Sequence, residues 1–358
     1  MQLESVTIKN FRCFSSLSIN FGWPIALIEG ANGSGKTTLL EALHYACYLR
    51  SFRTHLPAEL LKDGAASFFV KAVVTQQNQS HEVQVGFAQK KRLVRLDQTA
   101  ITTYKQLFDV YRVVTITADD VEIIRQGPEL RRSFLDQLCV FLHPEYTSMM
   151  RKFRHILYSR NALLKKAGAN KEVYDFWSEQ LWIVSHALVA TRKAVLEQLD
   201  YQLQELLSHY FQKQFSIVMS YQPAVAYQNS YEEFATTLKK YTANEMRFGR
   251  SLFGSHLDDI SLLFQETKSR SHASRGQQKL IILLLKMAQV KLLKSSIVLL
   301  DDFMTDFDRQ RITDLTTMLV DLKTQLIFTV PTSSTLLEEA LQPYGMSKIS
   351  LSDKNVSI

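Results

Sequence analysis

The sequence predicts an α/β fold with a β-rich flank and an inserted helical lobe. Three observations predict it. An apolar strand runs straight into a glycine-rich loop and then into a helix. Short β-rich runs with alternating apolar residues follow. From Pro128 to about Tyr210 the pattern turns helical, and strand–helix alternation then resumes.

The elements read as follows along the chain. Residues 2–9 and 25–29 read as strands, and Lys36 to about Tyr48 as a helix with Leu39, Leu40, Leu43 and Ala46 on one face. Phe68–Thr75, His81–Phe87 and Leu93–Leu96 read as hairpin strands beside that core. Arg112–Thr117 reads as a strand ending in Ala118-Asp119-Asp120, which has the composition of a helix cap. Pro128 suits the first position of a helix. Two long helical stretches follow, separated by Lys165–Lys171 with Gly168 inside it. Their apolar spacing, for example Leu181, Val184, Leu188 and Ala190, is too irregular for a long coiled coil. Alternation resumes near Ser216 with a helix after Gly276, a strand Ile297–Leu300, a helix Phe307–Leu322 and a strand Leu326–Thr329.

Composition excludes several classes. The 358 residues are long enough for roughly two domains. Hydrophobic content of 46% supports a sizeable buried core. No apolar run is long enough for a membrane span, and the first residues lack the basic-then-apolar pattern of a secretory signal. Cys13, Cys47 and Cys139 lie far apart and form neither a metal-ligand spacing nor a disulfide framework, so buried cytoplasmic thiols are expected. A net charge of +7 is compatible with a polyanionic partner without requiring one.

Three motifs carry chemistry. The first is Gly30-Ala31-Asn32-Gly33-Ser34-Gly35-Lys36-Thr37, between a strand and a helix that continues with Thr38. Glycines at this spacing let backbone N–H groups turn inward around a phosphate, and the helix N-terminus faces the same anion. Lys36 is expected on the β- and γ-phosphates and Thr37 on Mg²⁺, which makes ATP the expected cofactor. The second is Ile297-Val298-Leu299-Leu300-Asp301-Asp302, a buried-strand pattern ending in two carboxylates. Asp301 is expected to hold Mg²⁺ and Asp302 to polarise the attacking water. The third is Ser274-Arg275-Gly276-Gln277-Gln278, opening an apolar helix. Ser274 and Gln277 stand at capping-box spacing, and the same helix start is also an anion site.

Together these motifs resemble the ATPase head of ABC type shared by SMC-like DNA-maintenance proteins. The opening Ile8-Lys9-Asn10-Phe11-Arg12-Cys13-Phe14 resembles the start of the same group. SMC members carry long arms between the two halves of the head, whereas this chain has room for a short helical lobe. In that respect it resembles the RecF family. Gly127-Pro128-Glu129-Leu130-Arg131-Arg132-Ser133-Phe134-Leu135-Asp136 and Arg160-Asn161-Ala162-Leu163-Leu164-Lys165 are similar to signatures of that family. Thr305-Asp306-Phe307-Asp308 stands where the family has Ser-Glu-Leu-Asp, and Gly254-Ser255-His256-Leu257-Asp258-Asp259 stands for its Gly-Pro-His-Arg-Asp-Asp.

The resemblance implies a P-loop ATPase head of ABC type, SMC-like, formed by residues 1–125 and 246–358, with a helical lobe at 126–245. It implies ATP and Mg²⁺ as cofactors, with Arg12, Ser274, Gly276, Gln277 and Asp308 added to the nucleotide contacts, some of them across a dimer. It implies an ATP-dependent homodimer that binds ssDNA, dsDNA and gap junctions and helps load recombinase with RecO- and RecR-type proteins. The activity implied is a weak, DNA-stimulated ATPase acting as a switch in recombinational repair and replication, in the cytoplasm. No switch histidine follows Thr329, where Val330-Pro331-Thr332 stand instead, so slow hydrolysis resting on Asp302 is expected. Candidate phosphate contacts are Lys90-Lys91-Arg92, Arg151-Lys152 with Arg154, and Lys165-Lys166; the plainer reading of each is a solvated face. Arg131-Arg132, placed where cations oppose a helix dipole, hint at an acidic partner, a nucleotide or a carboxylate. A transporter-type ABC ATPase subunit without DNA function is the alternative, against which the missing Leu-Ser-Gly-Gly-Gln signature counts.

Overall fold

A computed structural model describes residues 1–101, 104–166, 170–212, 214–227, 230–294, 296–332, 335–352 and 355–357. Gly168 lies outside the described residues. The chain forms two compact units, one of residues 1–120 with 282–358 and the other of residues 121–281.

The first unit begins with an antiparallel hairpin, β1 (Gln2–Phe11) and β2 (Phe14–Asn20). Strand β3 (Ile25–Gly30) leads into helix α1 (Lys36–Tyr48). Then come β4 (Ser67–Gln76), β5 (Gln79–Ala88), β6 (Lys91–Leu96) and β7 (Thr99–Ala100), followed by α2 (Tyr104–Val110) and β8 (Val113–Ile116). The turns at Gln77-Asn78, Gln89-Lys90 and Asp97-Gln98 have positive φ at both central residues. These are tight two-residue hairpins built without glycine.

The second unit holds α3 (Glu122–Arg125), α4 (Pro128–Leu142), α5 (Tyr146–Leu164) and the long α6 (Lys171–Phe211). It continues with β9 (Ile217–Gln222), α7 (Tyr231–Phe248), β10 (Asp259–Phe264), β11 (Thr267–Lys268), α8 (Ser269–His272) and the start of α9 (Arg275–Leu293). The chain completes the first unit with β12 (Ile297–Asp301), α10 (Arg309–Asp321), β13 (Gln325–Pro331), α11 (Leu336–Leu341), β14 (Ser347–Ser352) and β15 (Asn355–Ser357).

Among the described residues the first unit has two six-stranded sheets. One is antiparallel in the order β2-β1-β4-β5-β6-β7. The other runs β15-β14-β3-β13-β12-β8, parallel except for the edge strand β15. Leu39, Leu40, Leu43 and Ala46 of α1 are fully buried in a single core with Leu3, Val6 and Ile8 of β1, Val70 and Val74 of β4, Leu299 of β12 and Ile327 of β13. Helix α1 therefore fills the space between the two sheets, and the loop before it is fixed by packing on both sides.

Two readings of these segments differ from the sequence analysis, and helix α7 was not expected at all. Strand β2 was not expected, because its inward Phe14, Leu17 and Ile19 do not alternate cleanly. The helical region breaks at His143-Pro144 into α4 and α5, so three helices stand where two were expected. Asp120 lies in the first turn of a short 3-10 helix, Ala118–Val121, and its side chain reaches back to the residue before that turn, as expected of a cap. Its Oδ2 accepts from the Thr117 N–H at 2.7 Å, and its Oδ1 lies 2.9 Å from Lys286 Nζ.

The second unit is held by buried arginines. Arg160, fully buried on α5, makes a two-pronged ion pair with Glu245 of α7 and also donates to Tyr174, Ser178 and Ser251. Arg192 of α6 pairs with Asp136 of α4 in the same manner. The acidic partner of Arg131 is internal: its guanidinium meets Asp259 at 2.8 and 2.9 Å and donates to the carbonyls of Ile123 and Gln126. Arg132 donates to the Asp258 carbonyl.

Candidate phosphate-binding site

In a parallel sheet, the carboxyl ends of the strands form the binding edge. Here β3, β12 and β13 end side by side, with Asp301 opposite Thr329 and Pro331 opposite Gly30 in register. The loop after β3 is closely packed. A methyl group at Gly30 would lie 2.4 Å from Ser34 Oγ and 2.8 Å from the Leu351 carbonyl oxygen. Gly35 has φ of 105°, and a methyl there would lie 2.5 Å from the Phe14 ring. Neither position accepts a side chain, because Ser34, Leu351 and Phe14 pack against the loop there and fix its path.

Lys36 is almost fully buried, and its Nζ donates to the carbonyls of Gly30 and Ala31 at 2.9 and 3.3 Å. The ammonium is thus held over the loop through which it would reach a phosphate. Thr37 Oγ1 donates to Asp301 Oδ1 at 3.1 Å, joining the ends of β3 and β12 although the residues are far apart in sequence. Burial raises the pKa of Asp301. Hydrogen bonds from Thr329 and Thr37 oppose that rise, the neighbouring Asp302 adds to it, and Lys36 opposes it. A hydroxyl beside a carboxylate that is costly to ionise when uncompensated is an all-oxygen donor pair suited to Mg²⁺. Thr38, the next residue of α1, is buried.

Asp302 has φ of 46° and ψ of 22°, a left-handed turn of the backbone at the end of β12. That turn is stabilised by Thr329, which the sequence analysis used only to mark the end of a strand. Its Oγ1 accepts from the Asp302 N–H at 2.9 Å and donates to Asp301 Oδ1 at 2.9 Å. One hydroxyl therefore ties the Asp301 carboxylate to the Asp302 backbone. The signal that could have found it was a β-branched hydroxyl in an otherwise apolar strand.

The remaining expected residues fall in different places. Arg12 sits in the β1–β2 turn, next to the Cys13 and Phe14 that pack on Gly35, and its guanidinium grips the buried Glu41 of α1 at 2.5 and 2.8 Å. Asp308 caps α10 by accepting from the Arg311 N–H at 2.9 Å, and its side chain is exposed. Ser274, Gly276 and Gln277 belong to the other unit. There the Ser274 N–H donates to Gln277 Oε1 at 2.7 Å and the Gln277 N–H to Ser274 Oγ at 3.3 Å, a closed capping box. The first amides of a helix, here those of Arg275 and Gly276, have no partner within the helix.

Comparison with known proteins agrees with this geometry. Residues 5–302 match a family model described as an AAA domain. The DNA replication and repair protein RecF of Geotalea daltonii is 28% identical over 98% of this chain and 98% of its own length. A solved structure of the recombination mediator protein RecF with ATP, in the RecFOR pathway, superposes with a TM-score of 0.85 at 23% identity, covering 99% of this chain and 98% of that one. An Smc head bound to the C-terminal winged-helix domain of ScpA gives a TM-score of 0.58 at 13% identity, over 100% of this chain and 96% of that one. The fold is that of an SMC-like ATPase head.

Proposed function

The chain belongs to the AAA domain family, and on that premise we propose that it is an ATP-dependent DNA-binding protein of recombinational repair and replication, of the RecF type. The observation that carries this reading is the junction of Thr37 with Asp301 at 3.1 Å beside the glycine-rich loop, within a chain similar to RecF along nearly its whole length. No described residue lies in a helix long and apolar enough to cross a membrane, and nothing supports the transporter alternative.

ATP binds with its phosphates in the amides of residues 30–35, and Lys36 moves from the Gly30 and Ala31 carbonyls to the phosphates. Thr37 and Asp301 would hold Mg²⁺, which would supply positive charge to the phosphates. Asp302 orients and polarises the attacking water, from the left-handed turn that Thr329 holds. Without a switch histidine after β13, a second polar contact to the γ-phosphate comes from elsewhere. Ser274, Gly276 and Gln277 of a second copy supply it, and Asp308 and Arg12 are the further nucleotide contacts that the resemblance implies. ATP then closes an isologous homodimer, and hydrolysis releases it. DNA near gaps, and accessory proteins of the RecO and RecR type, are the partners of the closed form.

The dimer has a direct test in Asp302→Asn, which slows hydrolysis and keeps the site loaded. With saturating ATP and Mg²⁺, light scattering after size exclusion is expected to give twice the monomer mass, and ADP the monomer mass. An Asp302→Asn protein that stays monomeric with ATP would sink the switch.

A further inference from the structure

Helix α5 carries a feature that the ATP site does not use. Residues 146–166 contain no aspartate or glutamate and six arginines and lysines. One of these, Arg160, is fully buried against Glu245. The other five, Arg151, Lys152, Arg154, Lys165 and Lys166, are exposed, and none forms an ion pair with another described residue. From Arg151 to Lys165 the helix rises about 21 Å. At ~100° per residue the five cations, with His155 and Tyr158, fall on one broad face, opposite the buried Phe153, Ile156 and Arg160. Tyr158 is 76% exposed, the largest exposure among the described large apolar side chains of this protein.

A second element adds to the same surface. The end of α7 comes to the C-terminal part of α5. The Ser251 N–H donates to Asn161 Oδ1 at 2.8 Å, and a methyl at Gly249 would lie 3.0 Å from Lys165 Cγ. Arg247 and Arg250 flank that glycine and are exposed, so the basic surface continues past Lys165. Ordinary solvated helices interleave charges of both signs, which supports them through pairs three or four residues apart. An acid-free helix gives up that support and repels itself, and a polyanion relieves the repulsion.

We propose that this face of α5, extended by Arg247 and Arg250, binds the phosphate backbone of duplex DNA without reading sequence. The proposal rests on the DNA-binding reading above and locates its surface. The cations are long and flexible, spread over two-thirds of a duplex turn, and include no rigid array of amides suited to base edges. Tyr158 stands among them, with its hydroxyl free to reach a phosphate or sugar oxygen.

The test compares wild type, Arg151→Gln/Arg154→Gln/Lys165→Gln, and the charge-keeping Arg151→Lys/Arg154→Lys/Lys165→Arg in the full-length protein. Binding to a labelled 30-base-pair duplex of random sequence (about three helical turns) is followed with ATP across a salt series. Removing three contacts is expected to cost roughly tenfold or more in affinity at moderate salt and to lower the log–log salt slope by about 2.7. The charge-keeping variant is expected to bind like wild type, and both variants to keep their thermal melts and basal ATP hydrolysis. A neutralised variant that folds and keeps wild-type affinity and slope overturns the surface and leaves the DNA reading standing. Loss of single-strand binding alone, with duplex binding intact, overturns it as well. A wild-type protein that binds no duplex with ATP overturns both.

Discussion

The hydroxyl of Thr329 joins the two aspartates of the candidate site, donating to the Asp301 carboxylate and accepting from the Asp302 backbone N–H. Thr329→Val keeps the shape and the buried strand but removes both bonds. It is predicted to lower ATP hydrolysis or Mg²⁺ affinity by ~10- to 100-fold, the usual cost of losing a group that orients a metal ligand. Thr329→Ser is predicted to recover most of the loss, as read in a Mg²⁺ titration of turnover with ATP binding measured in parallel. Equal activity of Thr329→Val and wild type would remove Thr329 from the site. At this scale the sequence was informative wherever chemistry follows spacing. Gly30 to Thr37 and the Asp301-Asp302 pair could be read directly, because a phosphate cradle needs those residue types at those intervals. Thr329 could not, because a threonine inside a strand is ordinary until its register opposite Asp301 is known. The roles of Arg131 and Arg132 were hidden for a similar reason, since Asp259 lies far along the chain.

Elements were legible where periodicity was clean. Helix α1 and the strands β4 and β5 follow their apolar patterns. Helix α7 was missed although Ser230 and Glu233 form a capping signal, with the Ser230 Oγ accepting from the Glu233 N–H at 3.3 Å. Few of its residues face the core, and only Phe234, Leu238 and Glu245 are buried. The hairpin turns at Gln77-Asn78, Gln89-Lys90 and Asp97-Gln98 lack glycine, so the strands had to be read from their own alternation. Helix α1 also carries a pH dependence. The Nδ1 of His44 lies 2.7 Å from Thr115 Oγ1 of β8, and burial, with Lys286 and Arg50 nearby, pushes its pKa down to about 3. Unfolded, a histidine titrates near ~6.5. Below that pH the unfolded chain takes up a proton that the native chain refuses, so stability falls as pH drops from about 6.5 towards 3. His44→Asn is predicted to remove from that window a slope of at most ~1.4 kcal/mol per pH unit, measured by urea unfolding at several pH values. An unchanged slope would show that His44 is protonated in the folded protein.

On the scale of the whole chain, the order of the elements explains how a short protein builds an SMC-like head. The first unit is left after Asp120 and rejoined at Ile282, and the residues between form a compact unit with its own buried ion pairs. The patterning turns helical near Pro128 and mixed again near Ser216, whereas residues 246–281, expected in the head, cluster with the second unit. Which side of the boundary each residue joins depends on packing between distant segments, which periodicity does not report. The phosphate loop and the Ser274 segment lie in different units. In the function proposed above they form opposite halves of an ATP site shared by two copies, with nucleotide state governing assembly and assembly governing DNA. The most direct test measures affinity for gapped duplex DNA with ATP, with ADP and for Lys36→Met with ATP. Tight binding is predicted only for wild type with ATP. Equal affinity in all three conditions would contradict it.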